Sequence, residues 1–173
     1  MDLSRERLAR IPRTPGLHPV CADMRRLPLT GPHDAVVVPY STFRLLPTPA
    51  DRDLALRKAA RILPPGATVH IYVSGNFDTR EASDWRLAPA EPCPALGGQR
   101  VEEWERLRPR AAHLLIDKLF RTERGELTRL TEHWSHLNPP ALHRAGFTLE
   151  HIDRGYGDGI SPHRSIYHAR RRS

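Results

Sequence analysis

The sequence predicts an α/β protein in which a mostly parallel sheet is flanked by helices and carries a small antiparallel β insertion. Three observations lead there. Residues 34–73 place two apolar, β-branched runs on either side of one amphipathic helical stretch. From Val101 to Leu137 the chain reads as three antiparallel strands. After Asn138 a short capped helix is again followed by a strand.

Taken in order, Ser4 can cap a short helix carrying Leu8 and Ala9, and Pro12 with Pro15-Gly16 stops it. His18 to Cys21 reads as a short strand. Asp34 to Val38 is a continuous run of the kind found in strands covered on both faces. Thr48-Pro49 supplies an N-cap and a first-turn proline. The helix it opens carries Leu54, Ala55, Ala59, Ile62 and Leu63 as its apolar stripe, and Pro64-Pro65-Gly66 ends it. Ala67 to Val73 is a second strand rich in Val, Ile and Tyr. Gly75 to Gly98, rich in Pro, Gly, Asp and Asn, reads as a long irregular crossing of the kind that often carries function.

Val101–Arg108, His113–Arg121 and Leu127–Leu137 follow, the last two joined by the turn-like Thr122 to Glu126. Leu114, Leu115, Ile116, Leu119 and Phe120 would also fit a helix, so periodicity alone does not decide this stretch. Asn138 then caps, Pro139 opens and Gly146 closes a short helix, and Thr148–Asp153 and Ser165–Arg170 are the last strands. The sheet elements therefore occupy residues 1–74 and 138–173, with residues 75–137 inserted between them.

Composition excludes several classes. A membrane span needs about 18 consecutive apolar residues, and runs such as Ala35–Val38 are far shorter. Met1 to Arg7 carries acids and no apolar segment, unlike a secretory signal, so a cytoplasmic location is expected. Cys21 and Cys93 form neither a disulfide framework nor a Cys-x-x-Cys pair. The net charge of +7 is almost wholly arginine, with Lys58 and Lys118 the only lysines. Those arginines are scattered, the dense Arg170-Arg171-Arg172 run reads as a solvated tail, and nucleic-acid binding is disfavoured. No metal site is expected, because His133 and His136 on one strand would face opposite ways and no His-x-x-x-His helix pair occurs.

Several motifs now fall into order. Asp2-Leu3-Ser4 precedes a helix, and Ala22-Asp23-Met24-Arg25 follows the first short run. His33-Asp34 opens the run to Pro39-Tyr40-Ser41, Leu63-Pro64-Pro65-Gly66 stops a helix, and Arg144-Ala145-Gly146-Phe147 makes a helix-to-strand turn. Over the whole chain this resembles the class I S-adenosylmethionine-dependent methyltransferases of the small-molecule type, similar to the branch of sugar N-methyltransferases. The resemblance implies a Rossmann-like methyltransferase sheet, S-adenosylmethionine as cofactor, a small-molecule methyl acceptor as partner, and a β lid over the substrate.

Carried onto this sequence, the resemblance makes Asp2, with Leu3 beside it, the acid that takes the cofactor's ribose hydroxyls. A helix-capping acid is the competing reading. It makes Asp23 the acceptor for the adenine amino group, with Met24 along the ring, against an ordinary turn acid. Pro39, Tyr40 and Ser41 fall where open parallel sheets bind ligands and would line the cofactor and methyl-transfer pocket. Tyr40 and His133 are the candidates for a catalytic base, and Ser41, Asn76, Asp78 and Arg100 for substrate contacts. A solvated role is the alternative for the residues in the insertion.

The resemblance also implies a first strand and Gly-rich turn lying roughly 20 residues before Asp2. Neither Gly97-Gly98 nor Gly155 to Gly159 substitutes for that turn. The sheet is therefore expected to be an incomplete one, first strand missing, and the chain an incomplete gene product. Met1 stands where the family usually has valine, and GTG encodes valine internally but methionine as a start. Val36 to Val38 should then present an open edge, suited to a homodimer or a partner chain. Two functions follow: methyl transfer to a small molecule, or a degenerate methyltransferase-like subunit that binds no cofactor and pairs with another chain.

Overall fold

The computed structural model describes residues 1–74, 82–88, 91–93, 98–110, 113–135, 137, 139–155 and 164–173. Two sheets organise them. The first runs β1 (Ala35–Val38), β2 (Thr68–Ser74), β9 (Arg164–Arg171), β8 (Phe147–Arg154). β1 and β2 are parallel, Ala35 opposite Thr68, whereas β2–β9 and β9–β8 are antiparallel. The mostly parallel sheet expected from βα alternation is thus parallel only where an α-helix makes the crossover, and β8 and β9 are separated by fewer residues than a parallel crossover connection needs.

That crossover helix, α2 (Pro49–Ile62), starts where Thr48 accepts a hydrogen bond from the Asp51 amide and Pro49 occupies the first turn. It buries Ala55, Leu56, Ala59, Ala60 and Ile62. The stripe is centred beside Leu54, not on it, so Leu54 is only half-buried. These residues form one core with Val69, Ile71 and Val73 of β2, Phe147, Ala169 and Leu142 of α3 (Pro139–Arg144). Each fully buried Leu, Ile or Phe contributes about 1.5–3 kcal/mol.

The β2 face carrying Val69, Ile71 and Val73 is covered by helices, while His70 and Tyr72 on the other face stay half-buried. Burial on both faces was expected for β1. Instead Val36 and Val38 pack on the core and Val37 is 66% exposed. Among the described residues β1 pairs on one side only, so it forms the sheet edge that the sequence led us to expect.

The second sheet is antiparallel: β5 (Gln99–Arg110), β6 (His113–Thr122) and β7 (Leu127–Ser135) form its body. The choice between strand and helix for residues 114–120 is therefore decided for strand. The β6–β7 turn closes through Gly125, whose amide donates to the Thr122 carbonyl at 2.9 Å with φ +80. Within the stretch expected to be irregular, Arg86–Leu87 (β3) and Glu91–Cys93 (β4) pair with β5. Asp117 on β6 is almost fully buried and receives Arg108, Arg106 and Thr131.

Two further expectations change. α1 (Arg5–Ala9) forms under the Ser4 cap, but His18–Cys21 makes only a single bridge, Asp2 to Cys21. Pro19, which has no amide hydrogen, sits inside that run. The arginine run is not a tail. Arg170 and Arg171 belong to β9, and Arg171 donates to the Ala60 and Gly146 carbonyls near the ends of α2 and α3. Those carbonyls lack helical partners, so a guanidinium is a natural donor there. Arg172 likewise donates to the His143 carbonyl at 2.7 Å.

Candidate active site

The site begins where β1 ends. Immediately after Val38, Tyr40 and Ser41 take φ +54 and +57, two consecutive non-glycine residues in the left-handed region. Each costs about 1–2 kcal/mol, and strain of this kind persists where surrounding structure fixes it. Tyr40 is 88% exposed, its ring 6.4 Å from that of Tyr72, whereas Ser41 is 3% exposed and starts the 3-10 turn Thr42–Leu45. The strained pair therefore turns one side chain outward and one inward at the carboxyl end of a parallel strand, the position where open sheets bind ligands.

What fixes the strain is a buried seam to the insertion. Arg44, 2% exposed, donates from Nε to the Ser135 carbonyl at 3.1 Å, and its guanidinium lies 5.5 Å from the Trp134 ring centre. Ser135 returns its hydroxyl to the carbonyls of Arg44 at 3.0 Å and Leu46 at 3.2 Å. The end of β7 and the turn after Tyr40-Ser41 are thus locked together. Neither Arg44 nor Ser135 stood out in the sequence, since a buried arginine looks there like a surface one.

Asp2 Oδ1 accepts from the Ser4 amide at 2.8 Å, and Oδ2 lies 4.0 Å from Arg7. Asp2 thus makes a turn leading into α1, whose cap is Ser4, and Oδ2 keeps acceptor capacity for a further donor. Leu3 beside it is exposed. Asp23 is more committed: its two oxygens accept from the Arg25 amide, Nε and Nη2, at 2.6–3.1 Å, which fills a carboxylate's acceptor sites. Hydrogen bonds from Arg25 hold its carboxyl below the usual range. Arg25 also donates to Asp51 at 2.9 Å, tying this turn to α2. Met24 packs against the core.

Of the residues in the insertion, His133 lies exposed on β7 two residues before the seam, its ring stacked 5.9 Å from that of His113. The described contacts join Tyr40 to Tyr72 and His133 to His113, not to each other. Arg100 lies on β5, where its amide donates to Glu123 at 3.1 Å. It lines an open hollow at the β5–β6 end with Glu102, Arg121 and Glu123. Asn76, Asp78, His136 and Asn138 lie outside the described residues. A neighbouring hollow of about 510 Å³ is walled by Trp85, Trp104, Leu119 and Leu127. It belongs to the insertion sheet and touches neither Tyr40 nor Ser41.

No family model matches the chain, and no curated protein matches it in sequence. Solved structures do. An S-adenosylmethionine-dependent methyltransferase from Clostridium acetobutylicum aligns with 99% of this chain and 73% of its own at TM-score 0.77 and 12% identity. The CcbJ methyltransferase from Streptomyces caelestis aligns with 98% of this chain and 69% of its own, at TM-score 0.73 and 18% identity. The chain has the fold of S-adenosylmethionine-dependent methyltransferases.

The sugar N-methyltransferase KedS8 from a Streptoalloteichus species shares this methyltransferase fold over 88% of the chain and 62% of its own, at TM-score 0.65 and 21% identity. The β1-β2-β9-β8 order and the separate antiparallel sheet are consistent with it. No helix among the described residues is long and apolar enough to cross a membrane.

Proposed function

We propose that this chain serves S-adenosylmethionine-dependent methyl transfer to a small-molecule acceptor. The observation that carries the reading is the strained Tyr40-Ser41 pair at the carboxyl end of β1, in a methyltransferase fold and locked to the insertion by Arg44 and Ser135. When bound, S-adenosylmethionine supplies an activated methyl group. The chain's residues then have to orient the acceptor and exclude water. Asp2 offers an oxygen to the ribose, Leu3 and Pro39 to Ser41 line the pocket, and contact of Asp23 with adenine requires Arg25 to shift onto Asp51. The phenol of Tyr40 or the imidazole of His133 takes the acceptor's proton. Asn76, Asp78 and Arg100 remain substrate contacts in this reading.

Isothermal titration with S-adenosylhomocysteine, followed by label transfer from S-adenosylmethionine to a panel of amino sugars and other small amines, tests this. Saturable binding that weakens in Asp2→Ala supports it, and absence of binding to the folded chain counts against it.

One observation favours a second reading, the partner-chain subunit. Among the described residues β1 is paired on one side only, and its Val37 is 66% exposed. Such an edge accepts a strand from a second copy or another protein. Sedimentation showing a stable assembly, with no cofactor binding by the isolated chain, would favour it.

A further inference from the structure

A second cluster lies on the sheet face opposite α2 and α3, the face that also carries Tyr72. Three histidines stand in one row across three strands: His70 on β2 is opposite His168 on β9, which is opposite His151 on β8. Residues directly opposite on neighbouring strands share a face.

The row exists because of an irregularity. Phe147 and Leu149 of β8 face the core, and strict alternation would send His151 and Asp153 the same way. Instead the register shifts between Leu149 and His151, Glu150 being the extra residue, so His151 and Asp153 are turned to the histidine face. A bulge that re-aims side chains is a recurrent way of building a site.

The donor atoms converge. Those of His151, Asp153 and His168 all lie within 4.8 Å of one another. His168 Nε2 is 2.9 Å from Asp153 Oδ2, and His151 Nε2 is 3.8 Å from Asp153 Oδ1. The His151 and His168 rings stack with centres 4.2 Å apart. Behind them, His168 Nδ1 is 2.8 Å from His70 Nδ1, and His70 Nε2 is 2.9 Å from Thr68 Oγ1.

We propose that His151, Asp153 and His168 bind a divalent transition-metal ion of the zinc class, with His70 and Thr68 holding the His168 ring in the liganding tautomer. Two imidazoles and a carboxylate suit zinc, cobalt or nickel, whereas calcium and magnesium need mostly oxygen donors. If His168 ligates through Nε2, its remaining hydrogen sits on Nδ1 and is donated to His70 Nδ1. His70 then carries its own hydrogen on Nε2 and donates it to Thr68 Oγ1. Both ring nitrogens of His168 and of His70 then have a role, which is the backing that metal-bound histidines usually have. His168 is only 18% exposed while His151 and Asp153 are more than half exposed, so the ion has both a fixed ligand and an open side for water. The bound ion would fasten β8 to β9.

Titration of the full chain with zinc sulfate, and with cobalt chloride read by its visible absorption, tests this. One ion per chain is expected, with a cobalt spectrum of four or five ligands, a rise in Tm, and no displacement by excess magnesium or calcium. His151→Gln and Asp153→Asn, exposed enough to keep the fold by circular dichroism, should each weaken binding roughly tenfold or more, and His70→Leu by about 10- to 100-fold although it removes no ligand. His113→Ala, in the other histidine pair, should leave binding unchanged. Absence of stoichiometric binding, or binding that survives both His151→Gln and Asp153→Asn, overturns the proposal.

Discussion

Replacing Ser135 by alanine isolates the seam that joins the two sheets. The Ser135 hydroxyl is buried and shared between the Arg44 and Leu46 carbonyls at 3.0 and 3.2 Å. Leu46 keeps a second donor, Arg52 Nη1 at 3.1 Å, so the main loss falls on the Arg44 carbonyl. Removing one partner of a buried hydrogen bond costs about 1–3 kcal/mol, and with Leu46 still served we expect about 2 kcal/mol. For a chain of this size that lowers Tm by about 4–8 °C. Urea denaturation followed by circular dichroism gives the free energy directly. Because the lost bond holds the turn after Tyr40-Ser41, affinity for S-adenosylhomocysteine should fall as well, at temperatures where the variant is still folded. A loss below about 0.5 kcal/mol, the scatter of ordinary surface changes, would show that the seam does not hold the turn.

Three other outcomes follow from the same physics. Gly146→Ala should cost about 2–3 kcal/mol in urea melts, since φ is +91 and a Cβ would meet Arg171 Nη1 at 2.7 Å, whereas Gly66→Ala, with φ +88 and open space, should cost only the backbone share of about 1–2 kcal/mol. Tyr40→Gly should change stability by less than about 1 kcal/mol, because relief of the left-handed strain offsets added chain entropy, yet lower methyl transfer more than about tenfold if the pair serves the reaction. Asp117 is held far below the usual carboxylate range by hydrogen bonds from Arg108, Arg106 and Thr131. Its contribution is therefore complete above the unfolded value near 4 and disappears as pH falls through the lower folded value. Asp117→Asn should flatten the fall in stability on acidification below about pH 4, measured by urea melts across that range.

Much of the sheet could be read in the chain because local chemistry and tertiary role agree there. Thr48-Pro49 opens α2, Gly146 closes the turn into β8, and β-branched residues fill β1 and β2. What sequence periodicity could not convey was coverage. Val37 looks like its neighbours but lies on a face that no described helix covers. The arginines at the end of the chain looked solvated because nothing local shows that two helix ends converge on Arg171. The position of Tyr40-Ser41 at a strand end was readable, but its left-handed backbone was not, since Tyr and Ser carry no glycine signal. The histidine row was hidden for another reason. Its members come from three strands, 17 and 81 residues apart by number, and a single bulged residue decides that His151 and Asp153 face His168. A search for helical His pairs could not find it.

Ligand binding is expected to centre on the carboxyl end of β1. Hydrogen–deuterium exchange of the chain with and without saturating S-adenosylhomocysteine tests it most directly. Slowed exchange in Pro39–Leu46 and around Asp2–Ser4, with the far ends of β5 and β6 unchanged, is the predicted pattern. Protection confined to the insertion sheet, or none in the presence of bound ligand at Pro39–Leu46, would contradict the account.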